Sequence, residues 1–141
     1  MWSGICKLFA WLFGGAKPRA GVPDRLPKRS EVEFARRIAK AIGGVTEHRL
    51  HDDCRVDILT GKNAIEVDWS HKWAEGIGQA LYYGAITHRK PTVLLLVDLE
   101  KDSRFINRCH TVCTLYSIDL WIYNWPAGRL LLQNGEIVEV K

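Results

Sequence analysis

The segment RVDIL-TGKN-AIEVDW, residues 55–69, reads as a β-hairpin with Gly61-Lys62 at its tip. An even loop centred there pairs Val56 with Val67 and Ile58 with Ile65 on one side of the sheet, an apolar match that sets the register. On the other side Asp57 falls opposite Glu66, and Arg55 opposite Asp68. Facing carboxylates have Cβ atoms about 5 Å apart, where like charges are destabilising. Such a pair has two readings. Either the face is solvated and the repulsion costs little, or the pair holds a hard divalent cation, whose natural ligands are carboxylate oxygens. The second is the working expectation. Asp68 likewise has two readings, a third ligand or a cross-strand ion pair with Arg55.

Downstream, Lys72 falls in the first turn of the next helix, where a cation opposes the helix dipole. From there Glu75, Gln79 and Tyr83 follow at steps of three or four residues, forming one narrow polar stripe. Gly76 and Gly78 each cost about 1 kcal/mol inside a helix, which suggests a close approach to the sheet or to a phosphate backbone. Trp69, Trp73, Tyr82 and Tyr83 are candidates for base stacking, although Trp69 and Tyr82 are assigned to the core first. His71 is the histidine nearest the carboxylates. No Gly-rich phosphate loop, nucleophile elbow or dinucleotide fingerprint is present.

Asp57 followed nine residues later by Glu66 on the next strand resembles the PD-(D/E)XK nuclease superfamily. Gln79-x-x-x-Tyr83 resembles the additional motif of its exonuclease-type members. The resemblance covers roughly Ser30 to Asp98. It implies a restriction-endonuclease-like core in which Asp57 and Glu66 bind Mg²⁺ or Mn²⁺, assisted by a carboxylate on the first helix. Glu33 already has a local role as a capping partner, so Glu31 is the freer candidate. The family lysine would stand at position 68, which is Asp68 here, and Lys72 is its candidate replacement. The implied activity is phosphodiester hydrolysis of nucleic acid, with DNA preferred. Lys72 would stabilise developing charge, Glu75 and Gln79 would support the site, and Arg36, Arg37 and Lys40 would guide the backbone in. The alternative is a catalytically inactive nuclease-fold module that binds nucleic acid or a protein partner.

The elements that must position these groups are legible as patterns. Ser30–Ile42 is a helix, with Ser30 and Glu33 at capping-box spacing and an apolar stripe of Val32, Ala35, Ile38, Ala39 and Ile42. Strands are expected near Val45–Leu50, Arg55–Leu59 and Ala64–Trp69, then a helix over Ser70–Thr87. Pro91–Leu99 reads as a buried strand, Asp102–Leu115 as a helix and Ile118–Tyr123 as a strand. A final hairpin turns at Asn134-Gly135. The order α-β-β-β-α-β-α-β followed by a C-terminal β-hairpin makes the chain α/β, a mixed sheet flanked by helices.

The 141 residues form one domain over 30–141, preceded by an N-terminal segment over 1–29. A net charge of +4 is compatible with a polyanionic partner and does not demand one. Cys109 and Cys113, one helical turn apart, read as buried free thiols, which points to a reducing, cytoplasmic setting. Met1–Phe13 is apolar apart from Ser3 and Lys7, too short to span a bilayer, and lacks signal-peptide features. It is a candidate for docking on a membrane surface or protein partner, or for packing on its own domain. The Gly- and Pro-containing stretch Gly14–Arg29 is a basic linker.

Overall fold

The structure, a computed structural model, describes residues 30–141. The apolar segment Met1–Phe13 and the linker Gly14–Arg29, with the docking roles expected of them, lie outside the described residues. Helix α1 covers Ser30–Ile42 and leads into β1 (Val45–Arg49), β2 (Arg55–Leu59) and β3 (Asn63–Trp69). A 3₁₀ turn over Ser70–Lys72 feeds α2 (Trp73–Thr87), which returns the chain to β4 (Lys90–Val97). Helix α3 (Ser103–Leu115) then connects to β5 (Asp119–Asn124), β6 (Arg129–Leu131) and β7 (Ile137–Glu139).

All seven strands form one mixed sheet in sequence order. β1, β2 and β3 are antiparallel, β3, β4 and β5 are parallel, and β5, β6 and β7 are antiparallel again. The parallel pairs are the two joined through helices, as a parallel connection requires. β4 shows why the centre is apolar throughout. Val93, Leu95 and Val97 pack towards α2 and α3, while Leu94 and Leu96 pack towards α1. Covered on both faces, the strand has no polar side, and each fully buried Val or Leu contributes about 1.5–3 kcal/mol. Cys109 and Cys113 are buried free thiols in the α3 layer, with sulfurs 3.7 Å apart.

α1 presents Ala35, Ile38 and Ala39 to the sheet, but not Val32, which is exposed. Phe34 packs inward instead, its ring against Trp69 and Tyr123. Gly43 ends the helix with φ +74°, the left-handed conformation that glycine adopts without a steric penalty. Among the described residues no helix is long and apolar enough to cross a membrane.

Alternation along β3 is what matters for the site. Ile65 and Val67 join the α1-side core, so Glu66 and Asp68 point to the α2 side. The ladder between β2 and β3 pairs Leu59 with Ala64 and Ile58 with Ile65, in the register expected. It does not extend to Val56 and Val67. Val56 packs with Leu50, Leu59, Ala64 and Tyr83, whereas Val67 packs under α1.

Candidate active site

The turn between β2 and β3 is fixed by Thr60, whose Oγ1 accepts from the Asn63 N–H at 2.9 Å and the Lys62 N–H at 3.2 Å. This tight connection holds the register that brings two acids together. Beyond the last ladder pair, the Asp57 carboxylate takes the place of a backbone acceptor, with Oδ2 receiving the Val67 N–H at 2.9 Å. The interaction between the Asp57 and Glu66 side chains lowers the Asp57 carboxyl and raises that of Glu66.

Burial dominates the electrostatics. Glu66 is 6% exposed, and burial followed by the charges of Asp57 and Asp68 pushes its carboxyl up to about 10. Burial also raises Asp57, against the opposing Val67 N–H and the side chain of Glu66. Asp68, also 6% exposed, is pushed up to about 7 by burial first and by Glu31 next, with Lys72 acting in the opposite direction. Glu66 and Asp68, with the half-buried Asp57 beside them, are thus held largely away from water, and burial is the first cause of the rise in each.

Asp68 departs from one of its two readings. Arg55 forms no ion pair with it and lies instead 3.8 Å from Glu47. Asp68 Oδ2 is buried without a hydrogen-bond partner. A Cβ on Gly76 would sit 2.9 Å from that oxygen, so the missing side chain is what allows α2 to close over Asp68. Gly78 has no such neighbour: a Cβ there would meet nothing within 4 Å, so at this position α2 makes no close approach to the sheet.

α2 brings the rest of the stripe. The Gln79 amide, turned with its nitrogen towards β3, donates to both oxygens of Glu66, at 3.3 Å to Oε2. Tyr83 is buried, and its phenol is pushed up to about 12 by burial and then by Glu66 and Asp57. Lys72 ends the 3₁₀ turn and occupies the N-cap position of α2 rather than its first turn. Its Nζ lies 3.3 Å from Glu31 Oε1. Burial draws the Lys72 ammonium down, but Glu31, with Asp68 and Glu75 behind it, leaves it above its ordinary value. Glu75 is exposed beside Lys72 and Asp68.

The remaining acid and cations of α1 are placed less centrally. Glu33 is taken by Arg37 one turn along, which leaves Glu31 as the α1 carboxylate at the site. Arg36 lies 3.8 Å from Glu47, and Lys40 is exposed in the last turn. His71 is exposed. Trp69 packs on the core as expected, but Tyr82 does not: it is 39% exposed and donates from Oη to Asp52 in the loop before β2. That contact had no signal in the sequence, because an acid in a loop and a tyrosine on a later helix share no periodicity. The Glu31–Lys72 pair had one, in the freedom of Glu31 beside an engaged Glu33.

Among the described residues no three His, Cys, Asp or Glu side chains converge as a ready metal cage. Compared with protein-family models, with curated proteins and with solved structures, the chain finds no match.

Proposed function

We propose that the chain is a divalent-metal-dependent phosphodiesterase acting on nucleic acid, with DNA preferred, built on a restriction-endonuclease-like core of the PD-(D/E)XK type. The observation that carries this reading is the Asp57–Glu66 pair. Glu66 is buried beside the half-buried Asp57, each carboxyl is raised above its ordinary value, and Lys72 is committed to Glu31. Such a pair is an unfavourable arrangement for a protein alone and a favourable one for a hard cation.

The residues present fit Mg²⁺ or Mn²⁺. The donors are all carboxylate oxygens, two of them suffice for Mg²⁺ when water and phosphate complete the shell, and the partnerless Asp68 Oδ2 lies on the same strand face. Asp57 and Glu66 would hold the ion, which would polarise the scissile phosphate and supply a nucleophilic water at neutral pH.

The chain's own groups do the rest. The Val67 N–H and the Gln79 amide fix the orientation of Asp57 and Glu66 respectively, so neither carboxylate reorganises when phosphate arrives. The Lys72 ammonium, held by Glu31, stabilises negative charge developing on the phosphoryl oxygens. Glu75 adds to the field that keeps Lys72 protonated. Arg36, Arg37 and Lys40 guide the backbone in, and the exposed ion pairs of the two arginines are weak enough to yield to phosphate. The order of α1, the β1–β3 antiparallel strands, α2 and β4 supports the core assignment.

The test is cleavage of single-stranded, double-stranded and branched DNA, and of RNA, in Mg²⁺ and Mn²⁺. Wild type should cut, and Asp57→Ala and Glu66→Ala should each abolish cutting. Absence of cleavage with nucleic-acid binding intact would instead identify an inactive binding module, the reading that the Asp at position 68 favours.

A further inference from the structure

Most aromatic side chains of this domain are packed: Trp69, Trp121 and Tyr123 lie in or against the α1-side core. Like Tyr116 just past α3, which is 60% exposed, Tyr82 is open to water, with 39% of its surface exposed next to Leu81 with the same exposure. Its ring is nevertheless held. The Oη donates to Asp52, in the loop between β1 and β2, and the ring lies 6.1 Å from that of Tyr83, centroid to centroid, at 58°. Tyr83 in turn packs in the cluster of Val56, Leu59 and Ala64 on the two strands that carry Asp57 and Glu66, and lies one helical turn beyond Gln79, whose amide donates to Glu66. An exposed ring, a buried ring and the paired carboxylates therefore follow one another from the rim of the site inwards.

A ring fixed at its hydroxyl and open on its surface is a platform. The ionised Asp52 beside it disfavours a phosphate at that spot, but it does not oppose the flat face of a neutral base. A base can stack on a protein ring when it is out of a duplex stack, and every base offers such a face. We propose that Tyr82 stacks on an unpaired base next to the phosphate bound at Asp57 and Glu66, so that the site takes single-stranded segments or ends of nucleic acid. This deepens the nuclease reading and rests on it.

The test uses the full chain with Ca²⁺ and a labelled single-stranded oligonucleotide, followed by fluorescence anisotropy. A blunt duplex and a set of strands with one abasic position each are run alongside. Tyr82→Ala should weaken binding of the single strand by about five- to a hundredfold, leave duplex binding unchanged, and lose its effect when the probe lacks the stacked base. Tyr82→Phe keeps the ring and should bind like wild type. Equal binding by wild type and Tyr82→Ala would overturn the proposal. So would an equal loss in Tyr82→Phe, which would assign the effect to the Asp52 bond, or wild type failing to bind single strands. Cleavage missing while the abasic dependence persists would remove the hydrolytic reading and still support the stacking.

Discussion

Glu31 Oε1 lies 3.3 Å from Lys72 Nζ, so an acid on α1 tethers the cation that begins α2. The two side chains are 26% and 42% exposed, and pairs so open to water contribute less than about 1 kcal/mol to stability. The effect of the contact should therefore appear in turnover. Lys72→Ala is expected to lower kcat about 10²–10³-fold, as loss of a charge-stabilising donor does. Glu31→Gln should lower kcat about tenfold with KM unchanged and Tm nearly so. Steady-state kinetics on the double variant decides the matter: if Glu31 acts through Lys72, Glu31→Gln adds nothing to Lys72→Ala. Additive losses would give Glu31 a separate role.

Two glycines of α2 should respond oppositely to the same substitution. Gly78→Ala meets nothing within 4 Å and should raise stability by about 0.5–1 kcal/mol, the usual gain for alanine within a helix. Gly76→Ala places a methyl group 2.9 Å from Asp68 Oδ2, a distance that Cβ atoms do not tolerate, so either α2 or Asp68 must move. That strain should cancel the propensity gain and reduce both stability and cleavage. Chemical denaturation of the two variants measures it, and equal stabilisation of both would show that α2 does not press on Asp68.

The buried carboxyls predict an uncommon pH dependence. Glu66 is raised from 4.5 to about 10 and Asp68 from 3.8 to about 7, so folding favours their protonated forms. The stability from those protons is complete below the unfolded values and is lost as pH rises through about 7 and then about 10. Without metal, the melting temperature should fall steadily from pH 5 to pH 9. Mn²⁺ should restore it, and by more at pH 8 than at pH 5, because a cation offsets ionised carboxylates. Glu66→Gln should flatten the profile and remove most of the Mn²⁺ effect. A wild-type melting temperature independent of both pH and Mn²⁺ would contradict the proposed metal site.

The parts of the fold that were legible are those in which one local signal decided the outcome. The C-terminal end of α1 is readable because its apolar period stops at Gly43-Gly44, and the β2–β3 register follows from matching Ile58 with Ile65. The failures are tertiary. Spacing from Ile38 permits an apolar residue three or four positions before Ala35 or Ile38, and the rings of Trp69 and Tyr123 chose Phe34 over Val32. The hairpin register could be extended on paper to Val56 and Val67, but Asp57 captures the Val67 N–H and Val56 joins a different cluster. Spacing puts Lys72 near the site, yet its anchor on α1 depends on the packing of two helices on one sheet. The candidate pair, Asp57 and Glu66, was visible because a tight turn and strand alternation suffice to place it.

Asp68 separates stability from chemistry most directly. With Arg55 turned to Glu47, no arginine among the described residues pairs with Asp68, and among those residues its Oδ2 has no partner. Arg55→Ala should therefore leave the behaviour of Asp68 unchanged and cost little, since its own pair with Glu47 is exposed. Asp68→Asn removes a buried carboxyl that resists ionisation, so at pH 8 without metal the variant should be more stable than wild type. If Oδ2 also helps to hold the cation, the same variant should bind Mn²⁺ more weakly and cut more slowly. Calorimetric titration with Mn²⁺ beside thermal melting reads both effects. Stability gained without any loss of Mn²⁺ affinity would make Asp68 a bystander, whereas stability gained together with weaker binding would make it a third ligand.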